Sequence, residues 1–180
     1  GCGTGRHWPL LLSRQPKNLI GFDVSAGMLS QLHEKYPQAT TMLIREEEEE
    51  YLFDGEVDFL ISTLTIAHIR NLEKALDAWQ RMLGINGEMI ITDFHPSLLT
   101  AGGKRTFRVD DKTLTVENHA HSIDRIINLL ESKKFRLVQS IEIKIDDSKR
   151  NHYETQQALH VYEKYKGQPV IYGMQKKKKM

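Results

Sequence analysis

The chain has 180 residues, 39% of them hydrophobic and 27% charged, with a formal net charge of +1; that is enough for one ordinary domain around a single apolar core. The near-neutral balance supplies no global attraction to nucleic acid, and no apolar run approaches the roughly 20 residues that span a bilayer, so neither a nucleic-acid partner nor a membrane span is expected. The single cysteine, Cys2, excludes an internal disulfide and a thiolate metal cage, and points to a reducing cytoplasm.

Gly1-Cys2-Gly3-Thr4-Gly5 reads as a glycine-rich turn, followed by a short helical pattern from about Trp8 to Arg14 with Pro9 in its first turn. Such a turn normally hangs on the end of a strand, and no strand precedes Gly1. The sequence is therefore expected to be an amino-terminally incomplete domain. Asn18 to Asp23 follows as a short buried strand ending on an acid, and Ser25 caps a helix carrying Met28, Leu29 and Leu32 that stops before Pro37. Thr40 to Ile44 is a further strand. The acid run Glu46 to Glu50 favours a solvated loop or helix end.

Val57 to Ser62 is expected as a buried strand, and Ile69, Leu72, Leu76, Trp79 and Leu83 mark one helical face. Gly84 and Asn86-Gly87 stop that helix, and Glu88 to Phe94 is the next strand. Lys104 to Val109 and Thr113 to Asn118 flank Asp110-Asp111-Lys112 as a β-hairpin, so residues 97–121 are expected as an insert, acting as a lid over a substrate. Ser122 caps a helix with Ile123, Ile126, Ile127 and Leu130 on one face. A long strand over Phe135 to Ile145, a helix over Tyr153 to Tyr165 ending at Gly167, and a last strand over Gln168 to Gln175 complete the chain. The last two strands are read as an antiparallel pair. Lys176 to Lys179 reads as a solvated chain end or last strand turn, or as a contact for phosphate or lipid headgroups. Strands alternating with helices predict an α/β fold with a mostly parallel sheet in one domain over 1–180.

Two features carry chemistry together. The glycines allow close backbone approach to a ligand, and Asp23 ends the next strand at about the 20-residue spacing at which an acid accepts hydrogen bonds from ribose hydroxyls. The pair points to a nucleoside cofactor; a purely structural turn is the alternative. A dinucleotide fingerprint needs glycine at its sixth position, where Arg6 stands, and a phosphate-binding Gly-Lys-Ser/Thr loop is absent. A nicotinamide-dependent oxidoreductase is disfavoured on that ground.

Gly1 to Gly5, then Gly21-Phe22-Asp23-Val24-Ser25 and Met28-Leu29, resemble the first two motifs of class I S-adenosylmethionine-dependent methyltransferases, closest to the group that includes the ubiquinone and menaquinone biosynthesis enzymes. Phe59 to His68 resembles that family's fourth strand and its loop, and Gly84 to Ile91 its next turn and strand. The resemblance implies a Rossmann-like sheet of order 3-2-1-4-5-7-6 with the seventh strand antiparallel, lacking its first strand here. It also implies that S-adenosylmethionine is held by Gly1, Cys2, Gly3 and Gly5 along its methionine and ribose, and by Asp23 at the ribose hydroxyls. Val24 and Met28 would flank adenine, with Glu46 the candidate for the acid beside it. Ser62 and Thr63 would face the sulfonium. The absent strand is the central one in that order, so the chain alone is expected to fold poorly: several unpaired backbone bonds outweigh a typical stability of about 5–15 kcal/mol.

Ligands of open α/β sheets sit beyond the carboxyl ends of the strands. His68, the Asp93-Phe94-His95-Pro96 turn and Glu117 to His121 gather there in this reading. His95, directly after a strand, is the first candidate for general base, an imidazole's ordinary pKa of about 6.5 suiting the task; His119 is the second. His68, His121 and Arg105 are candidate substrate contacts, with Arg108 a weaker one. No metal is expected. The Asn/Asp-Pro-Pro-aromatic motif of enzymes that methylate nucleic-acid amino groups is absent after the fourth strand, where Ser62-Thr63-Leu64-Thr65 stands. The function expected is methyl transfer to a small-molecule acceptor; the alternative is a catalytically silent module that binds the cofactor or a partner protein.

Overall fold

The structure, a computed structural model, describes residues 1–45, 54–103, 106–109 and 112–179. Seven helices and eight strands alternate along the described chain. The amino-terminal part holds α1 (Trp8–Leu12), β1 (Ile20–Asp23), α2 (Ala26–Lys35) and β2 (Thr40–Leu43). Pro9 lies in the first turn of α1, and Ser25 Oγ accepts from the Met28 N–H to cap α2. β1 and β2 pair in parallel with Asp23 opposite Leu43. The acid run from Glu46 lies outside the described residues.

The larger part holds β3 (Val57–Thr63), α3 (Leu72–Met82), β4 (Leu83–Phe94), α4 (Pro96–Thr100), β5 (Thr106–Val109), β6 (Lys112–Thr115), α5 (Ile123–Ser132), β7 (Phe135–Lys144), α6 (Arg150–Thr155), α7 (Leu159–Tyr165) and β8 (Pro169–Lys178). Its sheet runs β3-β4-β8-β7, with β3 and β4 parallel and β8 antiparallel to both neighbours. β5 and β6 form a separate antiparallel hairpin. Among the described residues no strand joins β1 to β3, so the β1-β2 pair stands as its own sheet. None of the described helices is long and apolar enough to cross a membrane.

The core lies between α3, α5 and one face of the four-stranded sheet. Leu72, Leu76, Trp79 and Met82 recur at helical spacing on α3; they meet Ile126 and Leu130 of α5 and Met89, Ile91 and Met174 of the sheet. Asn71 and Ser122 cap the two helices through their side chains.

Four expectations need correction. β3 is not buried on both faces: Leu60 turns to the core, whereas Phe59 and Ile61, alternating with it, point to the other face and are 62% and 42% exposed. β4 begins at Leu83 rather than Glu88. The residues between Leu83 and Glu88 form a bulge opposite Val57–Phe59, with Asn86 at a positive φ of 65°. The helix expected over Tyr153–Tyr165 is two helices broken at Gln157, whose φ is 54°. At 3.6 residues per turn a continuous helix would put Tyr153 and Tyr162 on opposite sides. The break turns both towards the small core of Ile145 and Tyr165.

The lysine run is the fourth. β8 continues through it, and pairing with Met89 and Leu137 turns Lys176 to the helix-covered face, where it is fully buried. Lys177 points the other way and donates to Glu88, while Lys178 Nζ donates to the Gln80 and Leu83 carbonyls at the end of α3, 2.9 and 2.6 Å away. A cation at a helix carboxyl end complements the dipole there.

Candidate functional site

The glycine turn is folded back on the end of β1. The Cys2 N–H donates to the Phe22 carbonyl at 2.7 Å, and the Gly3 N–H donates to Asp23 Oδ2 at 2.7 Å. The other oxygen, Oδ1, accepts from the Ser25 N–H at 2.9 Å, so the buried Asp23 carboxylate locks the turn to the start of α2. Each carboxylate oxygen keeps capacity for another donor.

Glycine is required here for different reasons at different positions. Gly3 has a φ of 54° and open space where a side chain would stand, the property of a cradle. A Cβ on Gly1 would sit 2.4 Å from Thr65 Oγ1, so the turn abuts the loop after β3. Gly21, which the sequence marks only as part of a motif, has Cys2 Sγ and the Trp8 ring each 2.9 Å from the position of a Cβ. Burial pushes the Cys2 thiol upward in pKa and keeps it protonated against that surface.

Beside Asp23, Val24 is 64% and Met28 44% exposed, two apolar side chains left open to solvent next to a buried acid. Leu43, the strand partner of Asp23, is exposed as well. At the end of β3 the Ser62 hydroxyl is sealed from solvent with no hydrogen-bond partner among the described residues, and the Thr63 carbonyl accepts from the Thr65 hydroxyl. Glu46 lies outside the described residues.

A second cluster forms beyond β3 and β4. Ile66 and Ala67, from the turn after β3, meet Asp93 and Phe94 at the end of β4, with α4 on one side and His119 and His121 on the other, around a narrow cavity of about 10 Å³. Asp93 is buried and accepts from the Ala67 N–H at 3.0 Å and the Phe94 N–H at 2.7 Å. The His119 N–H donates to the Ala67 carbonyl, docking the segment after the hairpin onto the loop after β3. His121 Nε2 lies 2.7 Å from the Ile69 carbonyl.

His95 does not line that cavity, although its ring packs edge-on against Tyr172 with 6.4 Å between centroids. Its Nδ1 accepts from the Ser97 N–H to cap α4 and lies 2.6 Å from Ser97 Oγ, while Nε2 is 3.5 Å from Glu142. Both ring nitrogens are thus engaged. His68 is exposed at the end of a single 3₁₀ turn. Arg105 lies outside the described residues, as does the side chain of Arg108. Tyr172 of β8, absent from the sequence expectation, lines the cavity because antiparallel pairing sets it opposite Asp93. Only the register could have found it. Among the described residues no group of three His, Cys, Asp or Glu could hold a metal ion.

A family model described as "Methyltransferase domain" matches residues 1–91. No curated protein matches. Among solved structures, the chain is similar to an S-adenosylmethionine-dependent methyltransferase from Mesorhizobium loti, with a TM-score of 0.72 and 14% identity over 99% of this chain and 88% of that one. It is similar to one from Clostridium acetobutylicum with a TM-score of 0.70 and 16% identity over 99% and 82%. It is also similar to the [4+2]-cyclase SpnF, with a TM-score of 0.68 and 13% identity over 100% and 74%. At such identities the likeness is one of fold.

Proposed function

The chain belongs to the methyltransferase domain family, and from that premise we propose that it transfers a methyl group from S-adenosylmethionine to a small-molecule acceptor. The observation that carries this reading is the cradle at the end of β1: a buried acid tied to the Gly3 N–H, open space over Gly3, and two exposed apolar side chains beside it. The residues fit the cofactor. Asp23 has acceptor capacity left for ribose hydroxyls, Val24 and Met28 offer apolar cover for adenine, and the Ser62 hydroxyl at the end of β3 is buried without a hydrogen-bond partner among the described residues.

When bound, the cofactor supplies an electrophilic methyl group. The chain's contribution is alignment and exclusion of water. Gly1 and Thr65 hold the turn against the loop after β3, and that loop carries Ile66 and Ala67 into the cavity where an acceptor would enter. In this reading residues 97–121, with α4 and the β5–β6 hairpin, form the lid. His95 orients α4, and the base is sought among the cavity's own histidines. The single-cysteine composition supports a cytoplasmic setting.

The test is calorimetric titration with S-adenosylmethionine, using nicotinamide dinucleotide and an Asp23→Ala variant as controls. Saturable binding of S-adenosylmethionine alone, weakened by the substitution, supports the reading; a folded chain that binds neither sinks it. A silent cofactor-binding module is the second reading, favoured by the small cavity and by the engagement of both His95 nitrogens. It predicts binding without methyl transfer to any member of an acceptor panel.

A further inference from the structure

Two strands end on a buried acid, and each acid ties down a distant loop. Asp23, at the end of β1, accepts from the Gly3 N–H. Asp93, at the end of β4, accepts from the Ala67 N–H at 3.0 Å with one oxygen and from the Phe94 N–H at 2.7 Å with the other. Asp93 is only 1% exposed, so it acts on the chain rather than on solvent. A carboxylate suits such a latch. It offers two acceptor oxygens for the two N–H groups, whereas an amide of the same shape offers one and sets its NH₂ against the other N–H.

The loop that Asp93 holds would not keep its shape alone. Leu64 stands at a φ of 55°, in the left-handed region that a bulky side chain rarely adopts, and such strain persists only where neighbours over-determine it. Here they do. The Leu64 N–H donates to the Thr92 carbonyl at 2.8 Å, and the Ala67 N–H donates to Asp93. The Ala67 carbonyl accepts from the His119 N–H at 2.8 Å, and the Ile69 carbonyl lies 2.7 Å from His121 Nε2, so the segment after the hairpin is docked on this loop. On its other side the loop meets the glycine turn, since a Cβ on Gly1 would sit 2.4 Å from Thr65 Oγ1. Thr65 and Ala67 belong to one 3₁₀ turn, closed by the His68 and Ile69 N–H groups. A short hydrogen-bonded turn moves as a unit, so a shift at Ala67 is felt at Thr65.

Resting on the methyl-transfer reading, we propose that Asp93 is a positioning residue for both sides of the site. By holding the strained loop after β3, it couples the glycine turn to the segment after the hairpin, so that loosening either one loosens the other. Coupling of this kind is reciprocal. A ligand seated on the glycine turn firms the docking of His119, and whatever docks His119 tightens that ligand. Asp93 needs no contact with the ligand to do this. A carboxylate that only supported the core would leave the two ends independent.

The test is residue-resolved hydrogen exchange on the whole chain, first without ligand. Asp93→Asn should raise exchange roughly tenfold at the Ala67 and His119 amides and also at Cys2 and Gly3, as the loss of one buried hydrogen bond would. Leu76, fully buried on α3, should keep its protection. Adding Leu64→Gly to Asp93→Asn should return Cys2 and Gly3 towards wild-type rates, since glycine adopts a positive φ without strain. A side chain that merely filled its place in the core would gain nothing from a change at Leu64. With S-adenosylmethionine bound, the wild-type His119 amide should slow about fivefold, and the same amide in Asp93→Asn should not. Exchange unchanged everywhere, raised only at Ala67 and His119, raised at Leu76 as well, or unmoved by Leu64→Gly overturns the proposal, as does a wild-type His119 amide indifferent to bound S-adenosylmethionine. Where Asp93→Asn does not fold, Thr65→Ala loosens the same loop from the side of the glycine turn and should speed His119; an unchanged rate there overturns the proposal too. A chain with coupled exchange that binds no S-adenosylmethionine loses the methyl-transfer reading and keeps the latch. One that binds it without coupled exchange keeps the reading and loses the latch.

Discussion

The amino-terminal β1–β2 unit and the β3-β4-β8-β7 sheet are built to different standards. The larger sheet packs α3 and α5 on one face around a single cluster in which Leu72, Leu76, Leu83, Met89, Ile91, Ile126, Leu130 and Phe135 are fully buried. The smaller unit has two four-residue strands, buries Trp8, Leu29 and Leu32, and leaves Val24, Met28 and Leu43 in solvent. Yet the smaller unit carries the cradle proposed for the cofactor. Stability and the proposed ligand recognition then reside in different parts of the chain, and a ligand seated on Asp23 would stabilise the part that is least able to hold itself.

The largest effect that would break this comparison is expected from the core. Leu76→Ala should lower unfolding stability by about 2–5 kcal/mol, since a fully buried side chain leaves a cavity between helix and sheet. Leu32→Ala, equally buried but in the small unit, should leave the main urea transition in place and raise amide exchange only over residues 1–45. If both variants shift one transition equally, the two parts are a single cooperative unit.

Gly21→Ala sharpens the contrast by acting on the cradle alone. Its methyl group would enter the space held by Cys2 Sγ and Trp8 and displace the glycine turn, at an overpacking cost of roughly 1–3 kcal/mol. The expected outcome is S-adenosylmethionine binding weakened by ten- to a hundredfold in calorimetry while the circular dichroism of the larger sheet persists.

Much of this division is readable from residue patterns. The α3 face, the Ser25 and Ser122 caps, the glycine turn with Asp23 and the hairpin all follow from spacing and local chemistry, because each is decided within one or two turns of chain. What the pattern does not reveal is whatever depends on pairing between distant strands. Phe59 and Ile61 read as core because apolar runs read alike whether one face or two is covered. Tyr172 enters the cavity, and Lys176 the core, only through the register of β8 against β4. His95 looks like a base from its place after a strand, but its ring bonds to Ser97 and Glu142 emerge only when α4 and β7 are in place.

Lys176 gives the next smaller effect. Its ammonium is buried with no hydrogen-bond partner among the described residues, and Glu131 Oε1 is 4.0 Å away. Burial lowers its pKa. Between that lowered value and the ordinary lysine value of about 10.4, the unfolded chain holds a proton that the folded chain does not, so stability rises with pH across that window. Below the window the cost is present in full. Lys176→Met, apolar and of similar length, should raise stability at neutral pH by about 1–3 kcal/mol and flatten the alkaline slope, read from urea midpoints between neutral and alkaline pH. An unchanged slope would mean the ammonium reaches water.

The smallest effect is on the exposed side of the same strand, and its sign is opposite. Hydrogen bonds from Gln175 and then Lys177 lower the Glu88 pKa below its ordinary value of 4.5. A lowered carboxylate contributes stability that is fully present above the ordinary value and is lost as pH falls through the folded one. The pair is partly solvated, so screening holds the contribution to about 1 kcal/mol or less. Glu88→Gln should therefore leave the alkaline slope due to Lys176 untouched and reduce the acid slope slightly, by an amount that shrinks further in high salt. Two neighbouring residues of one strand, turned to opposite faces, would then act on opposite ends of the pH profile: Lys176 through desolvation that salt does not relieve, Lys177 through an ion pair that salt weakens. A salt-sensitive alkaline slope would show instead that the helix-covered face is open to water, and the contrast between the two parts of the molecule would narrow.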